Sequence, residues 1–332
     1  MPNPPPFIIR LYLPSDFDAV LAVIQAAARA DALPVRHTAV ELRARMRIPH
    51  SDARLDAADD MWVVSVRAAG VVAYADGWLT GAAGNRSYRT DCFVRPDYRG
   101  RGIGRALLTR QCQRALAIAR RLSGSGAPET VMLAARAWQQ QAAAVAVLEA
   151  KGLQRERAFL ELARDLGRPL AASATPPGVR LEPWVDRRAD EAIWQAFDEA
   201  FADHWGYVGE SFETFMRRTA MGHIQGQHSL IAWAGGVVAG ASLNDMETSP
   251  AGGATASQPA WIRQLFVRRA FRGRGLGRAL VDGSLRQARQ LGYGRIGLMV
   301  DADNATGALK LYQSAGFEEV GRRFNYQLLV SP

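Results

Sequence analysis

The chain holds almost no cysteine: Cys92 and Cys112 are the whole supply in 332 residues. Two thiols, one in a predicted strand and one in a predicted helix, read as core fillers and exclude a disulfide-built scaffold. Lysine is as scarce, with only Lys151 and Lys310, so the net charge of +9 rests on arginine. No run approaches the roughly 18 apolar residues that a membrane span needs. The stretch Met1-Pro2-Asn3-Pro4-Pro5-Pro6 has neither the basic region nor the apolar core of an export signal, so the expected location is the cytoplasm. The five histidines (37, 50, 204, 223, 228) fall at no metal-ligand spacing, and no metal is expected. A Gly-Lys-Ser/Thr sequence is missing, which excludes a Walker-type nucleotide loop. Basic residues are dispersed and not interleaved with aromatics, so nucleic acid is not the expected partner.

Two places break that dispersion. Arg272-Gly273-Arg274-Gly275-Leu276-Gly277-Arg278 follows the apolar run Leu265-Phe266-Val267 and leads into a helical pattern. Arg99-Gly100-Arg101-Gly102-Ile103-Gly104-Arg105 repeats it after Val94, and residues 98–108 match 271–281 at 8 of 11 positions. A strand that ends in a glycine-rich turn and re-enters as a helix makes an anion cradle. Glycine permits the left-handed backbone and a close ligand approach, and the helix start adds free N–H groups with the positive dipole end. Arginines at 272, 274 and 278 can add guanidinium forks. The spacing G-x-G-x-G differs from the G-x-G-x-x-G of dinucleotide folds, and neither copy sits at a first strand–helix turn.

The order of predicted elements also repeats. Strand 7–13, helices from Ser15 (capped through Asp18) and from Thr38 (boxed with Glu41), strands 62–67 and 71–78, strand 90–94, the first cradle and helix 105–121 come first. Strand 130–135, helix 139–150 and strand 159–166 close that half. A Pro/Ala/Ser/Thr-rich stretch then reads as a linker, which divides the chain into domains at 1–167 and 179–332 with 168–178 between them. The second half gives strand 179–182, helices near 190–202 and after Ser211, and a hairpin over 229–243. Strand 261–267, the second cradle, helix 278–291, strand 295–300, a helix over 304–315 and two strands in 317–330 complete it.

The cradle after a middle strand, followed by helix, strand and helix, resembles the GNAT superfamily of acyl-CoA-dependent N-acetyltransferases. The tract LMVDADNATGALKLYQSAG (298–316) with Phe317 is similar to that family's next motif. The likeness covers nearly the whole chain as a tandem pair. The layout, with Phe201-Ala202-Asp203-His204-Trp205-Gly206, resembles mycothiol-synthase-like members. The resemblance implies an α/β (α+β) fold in two tandem copies, each a mixed, mostly antiparallel central sheet flanked by helices. It implies acetyl-CoA as acyl donor, a small-molecule amine as acceptor and no metal. The coenzyme would be held by Leu265, Phe266, Val267, Arg272, Gly273, Arg274, Gly275, Leu276, Gly277, Arg278 and Asn304. The first copy would offer Val94, Arg99, Gly100, Arg101, Gly102, Ile103 and Gly104. A backbone N–H near 265–267 would polarise the thioester.

Tyr312 is the expected general acid, eight positions after Asn304 and so two helical turns along one face. Relatives often place a Glu on the strand before the cradle, but 261–267 carries no carboxylate. Glu247 is the expected base, with Asp245, Asp203 and His204 as further candidates. Counting back from Gly152-Leu153 puts Leu148 where Tyr312 stands and Gln140 where Asn304 stands, so the first copy lacks the acid and little catalysis is expected there. Three other readings stay open: a non-catalytic acyl-CoA sensor, an acetyltransferase acting on the N-terminal amine of proteins, and a phosphate-contacting nucleic-acid protein.

Overall fold

The computed structural model describes residues 7–33, 38–123, 128–170, 174–207, 209–221, 224–246, 259–304 and 306–332. In chain order the elements are β1 (Phe7–Leu11), α1 (Phe17–Ala30), α2 (Ala39–Arg45), β2 (Met61–Val66), β3 (Gly70–Thr80), β4 (Arg86–Val94), α3 (Ile103–Ser123), β5 (Val131–Trp138), α4 (Ala142–Ala150) and β6 (Gln154–Asp165). Then come β7 (Val179–Pro183), α5 (Asp190–Phe201), α6 (Phe212–Met221), β8 (Leu230–Ala234), β9 (Val237–Asp245), β10 (Ala260–Val267), α7 (Leu276–Gln290), β11 (Arg295–Asp301), α8 (Ala308–Ser314) and β12 (Glu318–Val330).

The chain forms two compact units, residues 1–158 with 323–332 and residues 159–322. They are not the two stretches cut at 167 and 179, because each unit takes its closing strand from beyond such a cut. In the first unit, residues 323–330 of β12 pair antiparallel with β5. In the second, residues 159–165 of β6 pair antiparallel with β11. Those pairings satisfy the open edges of β5 and β11, a backbone demand that composition does not reveal. The two strands expected in 317–330 are one continuous strand.

Each unit has the same layout. The first runs β1-β2-β3-β4-β5-β12, antiparallel except for β4 with β5. The second runs β7-β8-β9-β10-β11-β6, antiparallel except for β10 with β11. Helices form where apolar residues recur every three to four positions. In α1, Val20, Val23, Ile24 and Ala27 are buried, with Val20 and Ile24 packed on Val63 and Tyr74. In α7, Leu276, Leu280 and Leu285 face the sheet. The Thr38–Glu41 capping box forms as expected, at 3.1 and 2.8 Å. The cap expected at Ser15 does not form: Asp16 precedes α1 without a side-chain bond to its first turn, and its carboxylate instead accepts from Leu13 N–H at 2.9 Å.

One irregularity shapes the second unit. The β9–β10 register slips between Ile262 and Gln264. Such a bulge reverses the inward and outward alternation of a strand. Ile262 packs on the α7 side, whereas beyond the slip Phe266 packs against Phe197 and Phe215 of α5 and α6, and Leu265 and Val267 take the α7 side.

Candidate active site

In the second unit β10 and β11 are paired over Ala260–Ile262 and Ile296–Leu298 and then part. Below the parting lies a cleft of about 550 Å³, walled by β10, β11, the end of α5 and the starts of α7 and α8. Leu265, Phe266, Val267, Arg272, Gly273, Gly275, Leu276, Gly277, Arg278, Asn304 and Tyr312 all line it. Arg274 stands on the same loop, its guanidinium 5.9 Å from the Phe271 ring.

The loop takes the shape that its glycines permit. Gly273 and Gly275 have φ of +74° and +80°, and Gly275 is the left-handed residue that precedes α7. A side chain at either position would find room, since a Cβ on Gly275 meets only Pro176 at 3.8 Å. The backbone angle, not crowding, therefore requires glycine. Gly277 differs: its Cβ would lie 3.1 Å from Leu311, so this glycine sets the approach of α7 to α8.

The arginines are less available than expected. Arg272 donates through Nε to Val267 O at 3.1 Å and through a terminal nitrogen to Ala200 O at 3.1 Å. It thus caps the end of α5 and braces the strand end. Arg278 bonds Asp282 at 2.8 Å and reaches Ser314 O at 3.3 Å, tying α7 to α8. Anion-binding capacity therefore rests on backbone N–H groups and the α7 dipole rather than on three side-chain forks.

Tyr312 is 6% exposed and packs edge-on against Phe317 at 5.9 Å. Among the described residues its hydroxyl has no hydrogen-bond partner. Burial pushes the phenol up to about 12, so it is protonated at neutral pH and competent to donate. Asn304 does not share a helix with it, because Gly307, left-handed at φ +77°, delays α8 until Ala308. Asn304 sits in the preceding turn, where its Oδ1 accepts from Thr306 N at 2.9 Å and Thr306 Oγ1 at 2.5 Å.

The candidate bases separate clearly. Glu247 lies outside the described residues. Asp245 is fully buried with Arg263 at 2.5 Å. Asp203 takes Arg269 on the surface at 2.6 Å, which holds its carboxyl below the usual range. His204 lines the cleft, stacked on Phe201 at 4.3 Å, and burial followed by the Arg272 charge lowers its pKa, so its imidazole is neutral at pH 7.

One group escaped the sequence reading. Glu161 on β6 stands opposite Met299 and two residues from Phe159, both of which line the cleft. It is 7% exposed, and burial pushes it up to about 7 against the pull of Arg295. The signal was there: a lone carboxylate in Phe159-Leu160-Glu161-Leu162-Ala163. It was hidden because that stretch reads as the first half's closing strand.

The description "Acetyltransferase (GNAT) family" matches residues 28–149 and again 188–317. The chain belongs to the GNAT acetyltransferase family. It is 30% identical over 331 residues to a mycothiol acetyltransferase of Frankia alni, covering 94% of this chain and 91% of the relative. A protein of that name from Thermobispora bispora is 29% identical over 92% of this chain and 93% of its own length. Among solved structures, a GCN5-related N-acetyltransferase from Sphaerobacter thermophilus superposes with a TM-score of 0.74 over 98% of this chain and 96% of its own, at 24% identity. A tandem GNAT protein from the clavulanic acid biosynthesis pathway gives 0.72 over 98% and 99%, at 20% identity. The expected tandem α/β fold and the acyltransferase class are thereby established. No described helix is long and apolar enough to cross a membrane.

Proposed function

We propose that the second unit transfers an acetyl group from acetyl-CoA to the primary amine of a small molecule by direct attack. The coenzyme's pyrophosphate rests on the N–H groups of Gly273–Gly277, and its pantetheine arm runs along Leu265–Val267 into the parting of β10 and β11. The amine nitrogen attacks the thioester carbon, and the bulge at Arg263 frees backbone N–H groups for the developing oxyanion. The carbon–sulfur bond breaks with its electron pair on sulfur, and Tyr312 gives its proton to that thiolate. The proton lost by the ammonium goes to Glu161, directly or through water. A carboxylate near 7 suits this step better than Asp245, which is fully buried and already engaged by Arg263 at 2.5 Å.

The observation that carries this reading is the meeting of the glycine loop and the Tyr312 hydroxyl on one cleft between parting strands. The relatives' name, mycothiol acetyltransferase, suggests a mycothiol-related small molecule as acceptor. The test is thiol release from acetyl-CoA with a panel of amines, including an amino-sugar thiol. Release that depends on the amine is expected. Tight coenzyme A binding with no release for any amine would instead support a sensing role.

A further inference from the structure

The first unit holds an unbalanced charge cluster far from its glycine loop. On the α1/α2 face of its sheet, Asp76 of β3 and Asp91 of β4 stand side by side. Arg45 of α2 bonds both, at 2.5 and 2.7 Å, and Arg136 of β5 bonds Asp91 at 2.5 Å. Both carboxylates are thereby taken. Arg89 of β4 brings the face to three guanidiniums against these two carboxylates, with Arg323 of β12 beside them. Arg89 makes no hydrogen bond or ion pair among the described residues, although its side chain is exposed enough to meet solvent.

Strand register defines what lies between these groups. Arg89 is opposite Trp78 on one side and Ala134 on the other, and Ala134 is opposite Gln327. One step along, Arg136 is opposite Asn325. Residues two apart on a strand share a face, so Ala134 is a low floor. Arg89 and Arg136 rise from two of its edges and the amides of Gln327 and Asn325 from the third. Ala134, Trp78, Asn325 and Gln327 are all partly accessible. Mutual repulsion bears on this assignment: desolvation and then the Arg136 charge lower the pKa of Arg89, and burial and then Arg136 push Arg323 down to about 10. An anion bound between them would offset the repulsion by Arg136.

We propose that this face of the first unit is a binding site for a small oxyanion, a phosphate or carboxylate group held between Arg89 and Arg136 over Ala134. Guanidinium pairs favour such planar or tetrahedral oxyanions through charge-assisted, bidentate bonds. The site is distinct from the glycine loop, since Arg89 lies five residues before Val94, roughly 17 Å along the strand. It stands independently of the acetyl-transfer reading, because every residue in it belongs to the first unit.

The test uses the full chain saturated with coenzyme A, so that phosphate cannot report the second-unit loop. Phenylglyoxal modification is mapped by mass spectrometry with and without inorganic phosphate or succinate. Arg89 and Arg136 should be protected, and Arg110, exposed on α3, should not. Calorimetry with the same two probes should show binding to wild type and to Arg110→Gln, weakened at least about tenfold in Arg89→Gln. Arg89 has no hydrogen-bond or ion-pair partner among the described residues, so this variant should keep its fold, and an unchanged melting temperature without added anion checks that. Preference for phosphate or for succinate names the ligand's head group, and either supports the site. Equal protection of Arg110, equal affinity in Arg89→Gln, or no binding of either probe at low ionic strength would overturn it.

Discussion

The glycine-rich turn that occurs in both units stands in two different settings. In both units a parallel strand pair parts at the same level, after Thr90 and Ala135 in the first and after Ile262 and Leu298 in the second. The residues just beyond the parting set the outcome. In the first unit they are Asp91 and Arg136, joined at 2.5 Å across the parting, with Arg45 below. Against the upward push of burial, Arg136 and Arg45 hold the Asp91 carboxyl well below its usual range, so this bolt stays charged. A second fastening lies further out: Asp31 at the end of α1 takes Arg99 at 2.6 Å and Gln141 at 2.7 Å, and its backbone carbonyl takes Gln140 at 3.2 Å. In the second unit the residues past the parting are Arg263, turned to Asp245, and apolar Met299, and Asn304 in the loop before α8 accepts from Thr306 of the same loop. On the reading proposed above, a retained glycine turn would not by itself make a coenzyme site. The strands behind it must also be free to stay apart.

The largest effect expected from this contrast is on turnover. Tyr312→Phe should lower thiol release by about 10²–10⁴-fold while coenzyme A binding by calorimetry is kept, because only the donated proton is lost. Leu148→Tyr, which rebuilds the phenol on α4 in the first unit, should add no activity to that variant. Recovery of release there would show the bolts to be irrelevant. Next comes stoichiometry. Coenzyme A should bind once per chain; Gly275→Val should abolish the heat and Gly102→Val should leave it unchanged. Two equivalents of comparable affinity would erase the distinction between the halves.

Much of this contrast was legible before any coordinates, and the illegible parts have physical causes. The cradles could be read because a left-handed turn demands glycine, and all four of Gly100, Gly102, Gly273 and Gly275 adopt φ between +74° and +80°. Leu148 in place of Tyr312 could be read from spacing, and both side chains are buried on their helices, at 7% and 6% exposed. The bolts could not, since Asp31, Arg99 and Gln141 are separated by up to 110 residues and each looks like a surface polar residue. Glu161 could not, because its neighbour Met299 reaches it through strand pairing rather than sequence. Arg272 looked like a phosphate fork, but the carbonyl it serves, Ala200 O, belongs to a helix 72 residues away.

Glu161 gives the third test, in which activity and stability move in opposite directions. Its folded pKa of about 7 lies above the ordinary 4.5. Below the ordinary value the group is protonated in both states and costs nothing. As pH rises between the two values the unfolded chain ionises first, so stability falls, and above about 7 the full penalty remains. Glu161→Gln should therefore stabilise the protein at pH 8, by roughly 2–3 kcal/mol in denaturant titration, with no gain at pH 4. The same variant should lose the limb of the rate profile that rises through pH 7. Stabilisation without any change in that profile would leave Glu161 a strained core residue and return the base to another group.

The smallest effect is the one place where the two halves should agree. Gly102 and Gly275 share φ +80°, and a Cβ meets nothing within 4 Å at the first and only Pro176 at 3.8 Å at the second. The cost of Gly→Ala is then left-handed strain alone, about 1–2 kcal/mol at each site by chemical denaturation. Coenzyme affinity should respond at one site only, because the approach of a ligand to the N–H groups matters only where the strands behind the loop stay open. Equal stability losses with unequal binding losses would separate the geometry of the turn from its use. If Gly102→Ala weakened coenzyme binding as much as Gly275→Ala, the first cleft would have to open in solution, and the Asp91–Arg136 pair would be a latch rather than a bolt.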